Sequence, residues 1–242
     1  VFMSQVSRRQ AMLMAAKLGL VTIVTPRALL AQGAAPKQTE RVTIVLVNDL
    51  DRMADFNGRG GHAKLAAVAK AERAKDKTLL IHAGDALSPS ILSGFDRGHH
   101  IIDLLNQVKP DLFTPGNHEF DFGAENFRAR LKQATFDILG ANIFEPDGTR
   151  VAGLQPTKII DVGPVKIGFV GVCTEETKDL SDPGPIQFRP AVNSVIEHAD
   201  RLRAEGVHLV VAITHIGFGD DLLLARSGAV DVILSGHDHH LL

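Results

Sequence analysis

Short apolar runs that end on polar residues alternate along this chain with longer segments in which apolar positions recur every three or four residues. Residues 41–48, RVTIVLVN, are dominated by β-branched side chains and predict a buried strand. Further strands are predicted over residues 78–82, 111–114, 136–141, 207–214 and 229–235. Helical periodicity marks 61–75, 98–107, 124–133, 191–205 and 221–226, with Gly206 closing the fourth of these. Residues 157–161 and 165–169 flank Gly163-Pro164 and predict a hairpin. Strands alternating with helices of this length predict an α/β fold, with helices outside a mostly parallel or mixed sheet. There is no internal repeat and no linker long enough to divide the body, so one domain is expected.

Five of the strands run out into polar clusters: Asn48-Asp49-Leu50-Asp51, Gly84-Asp85, Gly116-Asn117-His118-Glu119, Thr214-His215 and Gly236-His237-Asp238-His239. A single Asp at a strand end is more often a turn or helix cap than a ligand. In α/β sheets, however, the carboxyl ends of the strands share one rim where ligands bind, so residues almost 200 positions apart can meet there. Asp, Asn and imidazole without a thiolate suit Mn, Fe, Zn or Co, and the candidates outnumber the ligands of one tetrahedral ion. Two ions bridged by a carboxylate would employ them all. Glu119 is expected to fix its loop, Asp238 to stabilise a turn or to lie behind a ligand, and His99 to sit at a solvated helix end.

Composition changes the picture at the two ends. The first 35 residues hold four of the 26 Lys and Arg and none of the 28 acids, leaving the remainder at 22 bases against 28 acids. That acidic balance disfavours a nucleic acid as the main partner. Ser7-Arg8-Arg9 precedes the apolar stretch AMLMAAKLGLVTIVTP and then AQGAAP, the parts of an export signal, and resembles a twin-arginine signal. Residues 1–35 are therefore expected to direct the chain through the twin-arginine export machinery to the periplasm or the exterior. The uncharged run 18–26 is far short of the ~20 residues that span a bilayer, so no membrane span is expected. Cys173 is the only cysteine, which excludes an intrachain disulfide; its strand-like setting predicts a buried structural thiol. Residues 36–242 are expected to form the single folded domain and to continue into a further region beyond Leu242.

In their order and spacing, Asp49 with Asp51, Gly84-Asp85, GNHE at 116–119, Thr214-His215 and the terminal GHxH resemble the calcineurin-like metallophosphoesterase superfamily. Within it they are similar to the catalytic N-terminal domain of bacterial 5'-nucleotidases, over roughly residues 42–239. The resemblance implies a four-layer α/β/β/α sandwich with a dinuclear metal site at the C-terminal strand ends. One ion would be held by Asp49, the residue at 51, Asp85 and His239; the other by the bridging Asp85 with Asn117, His215 and His237. Where the family has Asp-x-His, this chain has Asp49-Leu50-Asp51: either Asp51 ligates, and its oxygen favours a hard ion such as Mn over Zn, Fe or Co, or it points away and leaves that position to water.

The implied activity is hydrolysis of small-molecule phosphate monoesters, foremost 5'-nucleotides, by a hydroxide bridging the two divalent ions. His118, oriented by Asp121, would be the general acid or a second donor to the developing charge, and Asn117 and His118 would contact the substrate. The alternatives are an exported thiosulfohydrolase-like enzyme on the same core and a degenerate metal-binding protein without activity.

Overall fold

The computed structural model describes residues 41–50, 53–55, 57–58 and 60–239; the export signal expected at 1–35 and Asp51 lie outside these described residues. The first sheet has the order β1 (Val42–Val47), β2 (Lys77–His82), β3 (Leu112–Phe113), β4 (Asp137–Leu139), β6 (Leu154–Gln155), all parallel. The second has the order β11 (Val232–Ser235), β10 (Leu209–His215), β8 (Val165–Cys173), β7 (Thr157–Val162), parallel except for the β7–β8 hairpin. A short antiparallel pair, β5 (Ile143–Phe144) with β9 (Gln187–Phe188), stands apart.

Strand alternation sorts the apolar side chains into layers. Leu79, Ile81, Leu112 and Leu139 of the first sheet meet Ile167, Phe169, Val211, Ile213 and Leu234 of the second in one buried cluster, so the sheets face each other. The other face of the first sheet carries helices α1 (His62–Arg73), α2 (His99–Val108) and α3 (Gly123–Gln133), through contacts such as Leu105 and Phe127 with Phe113 and Ile138. The other face of the second carries α4 (Ala191–Ala204) and α5 (Phe218–Ser227), through Val195 and Leu224 against Val170 and Ala212. The result is an α/β sandwich with one parallel and one mixed sheet. Each wholly buried Leu, Ile or Phe contributes roughly 1.5–3 kcal/mol relative to exposure.

The local chemistry of the elements is ordinary. The Asp96 carboxylate accepts from Gly98 N and His100 N, which satisfies free amides at the start of α2. His99 lies at this end, exposed and paired with Asp103, as a solvated helix end should be. β8 runs four residues past the expected 165–169. Gly168 and Gly171 weaken its strand signal, yet a Cβ at Gly171 would stand 2.5 Å from Leu139 Cβ, so the missing side chain is what lets the sheets approach. α5 begins three residues before the expected 221. The two-residue strands β5, β6 and β9 were too short for periodicity to register.

Candidate metal centre

The strands of both sheets end on one rim. β2 delivers Gly84-Asp85, β3 delivers Gly116-Asn117, β10 ends on His215, and β11 is followed by Gly236-His237. Among the described residues, Asp85, His215 and His237 form a group in which one ligand atom from each lies within 4.8 Å of the others. His215 Nε2 is buried 3.0 Å from Asp85 Oδ2 and makes no hydrogen bond. Its other nitrogen, Nδ1, is 2.6 Å from the Ala83 carbonyl, and because a carbonyl can only accept, Nδ1 carries a proton and Nε2 is the nitrogen turned toward Asp85. Asn117 Oδ1 is likewise buried without a hydrogen-bond partner. Two orphaned ligand atoms beside a carboxylate and a second imidazole fit a divalent cation, since unpaired buried polar atoms are otherwise costly.

Glycine makes this approach possible. A Cβ on Gly116 would overlap the Asp85 carboxylate and lie 2.6 Å from His215 Nε2; one on Gly84, at φ 89°, would lie 2.5 Å from His215 Nδ1. Glu119 holds the two loops together, as expected of it. Its buried carboxylate accepts from Asp85 N, Ala86 N, Leu87 N and Gly116 N at 2.6–3.1 Å, joining the loop of Asp85 to the loop of Asn117. His118 N donates to Asp85 Oδ1 at 2.8 Å, which fixes the orientation of that carboxylate.

The electrostatics follow from burial and these contacts. Burial would raise the Asp85 carboxyl, but the neighbouring His215 and His118 outweigh it and hold it below the ordinary range. Burial would lower His215, and Asp85 reverses the sign. His237 is lowered by burial and by the nearby His215, whose ring centroid is 5.0 Å away. Glu119 is raised by burial and by the charge of Asp85. His118 is pushed up to about 9, chiefly by the hydrogen bond between its Nδ1 and Asp121 Oδ2 at 2.7 Å, against burial. Asp121 is lowered because His118 and the Ser88 and Ser181 hydroxyls outweigh its own burial.

The second ion's expected ligands are not gathered in the same way. His239 Nε2 meets Asp49 Oδ1 at 2.9 Å, but the His239 side chain is 72% exposed and Asp51 lies outside the described residues. One ligand cluster is therefore assembled among the described residues where two were expected. Asp49, Asp85, His237 and His239 all have positive φ, between 51° and 82°, which costs a non-glycine residue roughly 1–2 kcal/mol each. Strain of this kind persists where the surroundings impose it.

Other expectations resolve simply. Asp238 accepts from Phe218 N through Oδ2 and so ties its turn to α5. Cys173 is buried, with its thiol raised well above the usual range by burial. Two residues escaped the sequence reading. His82 is wholly buried, lowered to about 3 by burial and by the charges of His62 and His215. Asp221 is buried beneath β10 and β11, where burial raises it and the Ser235 and Thr214 hydroxyls oppose the shift. Neither carries a motif, and Asp221, preceded by Gly219-Asp220, looks in sequence like an ordinary acid in the first turn of α5.

Residues 42–241 match the calcineurin-like phosphoesterase family. The chain belongs to this family. As a calcineurin-like phosphoesterase it is 38% identical over 191 residues to the snake venom 5'-nucleotidase of Crotalus adamanteus, an alignment covering 76% of this chain and 32% of that protein. It superposes on the 5'-nucleotidase precursor of Thermus thermophilus with a TM-score of 0.74 and 30% identity, covering 83% of this chain and 42% of the other. The sulfate thiohydrolase of Thermus thermophilus gives 0.69 and 28%, covering 76% and 35%. The chain thus spans about a third of the length of the curated relatives it matches. No helix among the described residues is long and apolar enough to cross a membrane.

Proposed function

We propose that this chain is the metal-binding core of a phosphomonoester hydrolase that acts on 5'-nucleotides. The observation that carries the reading is the convergence of Asp85, His215 and His237 from three strand ends of two sheets. The names of the relatives give it its substrate class. Asp85, Asn117, His215 and His237 would hold one divalent ion, and Asp85 with Asp49, Asp51 and His239 a second, manganese being favoured by the oxygen donor at Asp51. Such ions would lower the pKa of water and offset the charge of a phosphoryl group.

The chain's own residues would do the rest. His118 Nδ1 is bound to Asp121, which favours the charged ring and leaves Nε2 to donate a proton to the departing alkoxide. Its side chain is 35% exposed, so a substrate can reach it. The Ser181 hydroxyl donates to the Asn117 carbonyl at 2.7 Å and lies beside Asp121, which places the acid's partner next to the loop of Asn117. Asn117 would contribute an uncharged ligand and orient a phosphoryl oxygen. We read residues 1–35 as a twin-arginine export signal and place the protein in the periplasm or outside the cell.

The likeness to a sulfate thiohydrolase favours a second reading, hydrolysis of a sulfur–sulfonate bond on the same core. Purified protein supplied with Mn²⁺, Zn²⁺, Co²⁺ or Fe²⁺ separates the cases. Release of phosphate from 5'-AMP well above release from p-nitrophenyl phosphate supports the nucleotidase reading. Release of sulfate from a protein cysteine S-thiosulfonate, with none of phosphate, supports the second. Stoichiometric metal without turnover of either would leave a binding protein.

A further inference from the structure

We propose that Asp221 is a positioning residue for the metal centre, a buried carboxylate on α5 that pins together the two strand ends carrying His215 and His237. Thr214 Oγ1 donates to Asp221 Oδ1 at 2.8 Å, and the Ser235 hydroxyl donates to Asp221 Oδ2. Thr214 and Ser235 are direct partners in the parallel register of β10 and β11, so the two hydroxyls stand side by side on the face covered by α5. Thr214 immediately precedes His215, and Ser235 stands two residues before His237. Alternation along β10 turns His215 to the opposite face, toward Ala83 and Asp85 of the first sheet. A shift of β10 against β11 would carry the two imidazoles apart, and Asp221 spans the joint across which that shift would occur. It is 6% exposed, and it has a hydroxyl donor for each oxygen. A buried carboxylate engaged in this way is costly to misplace, because a moved strand end would leave it unpaired.

The inference rests on reading Asp85, His215 and His237 as metal ligands, and Co²⁺ titration of the full chain tests the two separately. Co²⁺ reports both affinity and, through its visible absorption, ligand geometry. Wild-type protein is expected to bind Co²⁺ with a defined visible spectrum. Asp221→Ala is expected to bind about 10–100-fold more weakly with an altered spectrum, the range usual for residues that orient ligands without touching the ion. Asp221→Asn should recover most of the affinity, since its amide can accept from one hydroxyl and donate to the other. Thr214→Val and Ser235→Ala each remove one arm without touching Asp221 and should weaken binding in the same direction by a smaller factor. They carry the test should Asp221→Ala fail to fold. Wild-type affinity and spectrum in Asp221→Ala, or in both single-arm variants, would overturn the proposal. A residue needed only to dock α5 would lower the thermal midpoint and leave the Co²⁺ spectrum unchanged. Failure of the wild-type protein to bind Co²⁺ would instead overturn the metal-centre reading itself.

Discussion

The two halves of the site are built to different standards. Asp85, His215 and Asn117 are buried, and hydrogen bonds to Ala83, Glu119 and His118 fix their loops. Asp49 and His239 lie at the rim, paired with each other, and the imidazole of His239 is largely exposed. A ligand set already held in place gives up little side-chain freedom on binding, whereas an exposed imidazole loses up to about 1–2 kcal/mol of rotamer entropy when it is fixed. Each 1.4 kcal/mol is a factor of ten in affinity. The difference teaches that an ion should fill the buried cluster first and the rim position second.

The largest expected effect comes from the residue that both halves share. Asp85→Asn removes the only carboxylate of the buried cluster and, in our reading, a ligand of the rim ion as well. Several kcal/mol of stabilisation of the reacting phosphoryl group would go with it, so turnover should fall on the order of 10³-fold or more. Elemental analysis should find less than one ion per chain. Full metal content in Asp85→Asn would end the comparison, because neither half would then depend on its central ligand.

Next in size is His118→Asn, which leaves the metal ligands untouched. General acid catalysis contributes typically 10²–10⁴-fold, so kcat should fall by about that factor while metal content and KM change little. The loss should shrink for substrates with good leaving groups, such as p-nitrophenyl phosphate, which need no proton. An equal loss on 5'-AMP and p-nitrophenyl phosphate would point to a structural role.

The asymmetry itself is tested by His237→Ala against His239→Ala in stepwise Mn²⁺ titrations. His237→Ala should abolish the tighter binding step. His239→Ala should leave that step intact and weaken only the looser one. Equal effects on both steps would show that burial does not rank the two positions.

What could be read from the sequence follows the same division. The strand ends were legible because apolar runs halt abruptly on Asp85, Asn117 and His215, and a parallel sheet places such ends on one rim. The role of Glu119 as a loop clamp was legible from its place within the turn. Asp221 and His82 were not, because what they do depends on partners in other elements. Asp221 meets Ser235 14 residues on, and His82 feels the charge of His215. β8 was read four residues short because Gly168 and Gly171 look like breakers until Leu202 of α4, against the first, and Leu139 of the facing sheet, against the second, are known. Pattern reports an element's own preferences, and close approach between elements leaves little trace in it.

The smallest effect concerns the pair beside the buried cluster. In metal-stripped protein, His118 should titrate near 9, well above its ordinary 6.5, because Asp121 favours its charged form. Asp121→Asn removes that carboxylate, and the ring should titrate closer to 6.5, as ¹H–¹⁵N NMR of the imidazole can follow. The sign for stability is that of a raised folded pKa. The pair's contribution is complete below about pH 6.5, declines as pH rises between 6.5 and 9, and is absent above. Because the His118 side chain is 35% exposed, solvent screens the pair and the stability change should be small. Urea midpoints should therefore separate wild-type from Asp121→Asn slightly at pH 6 and converge at pH 10. A gap that persists at pH 10 would mean that Asp121 stabilises the loop through Ser88 and Ser181 and not through the imidazolium, and the acid would then owe its charge to Asp85 instead.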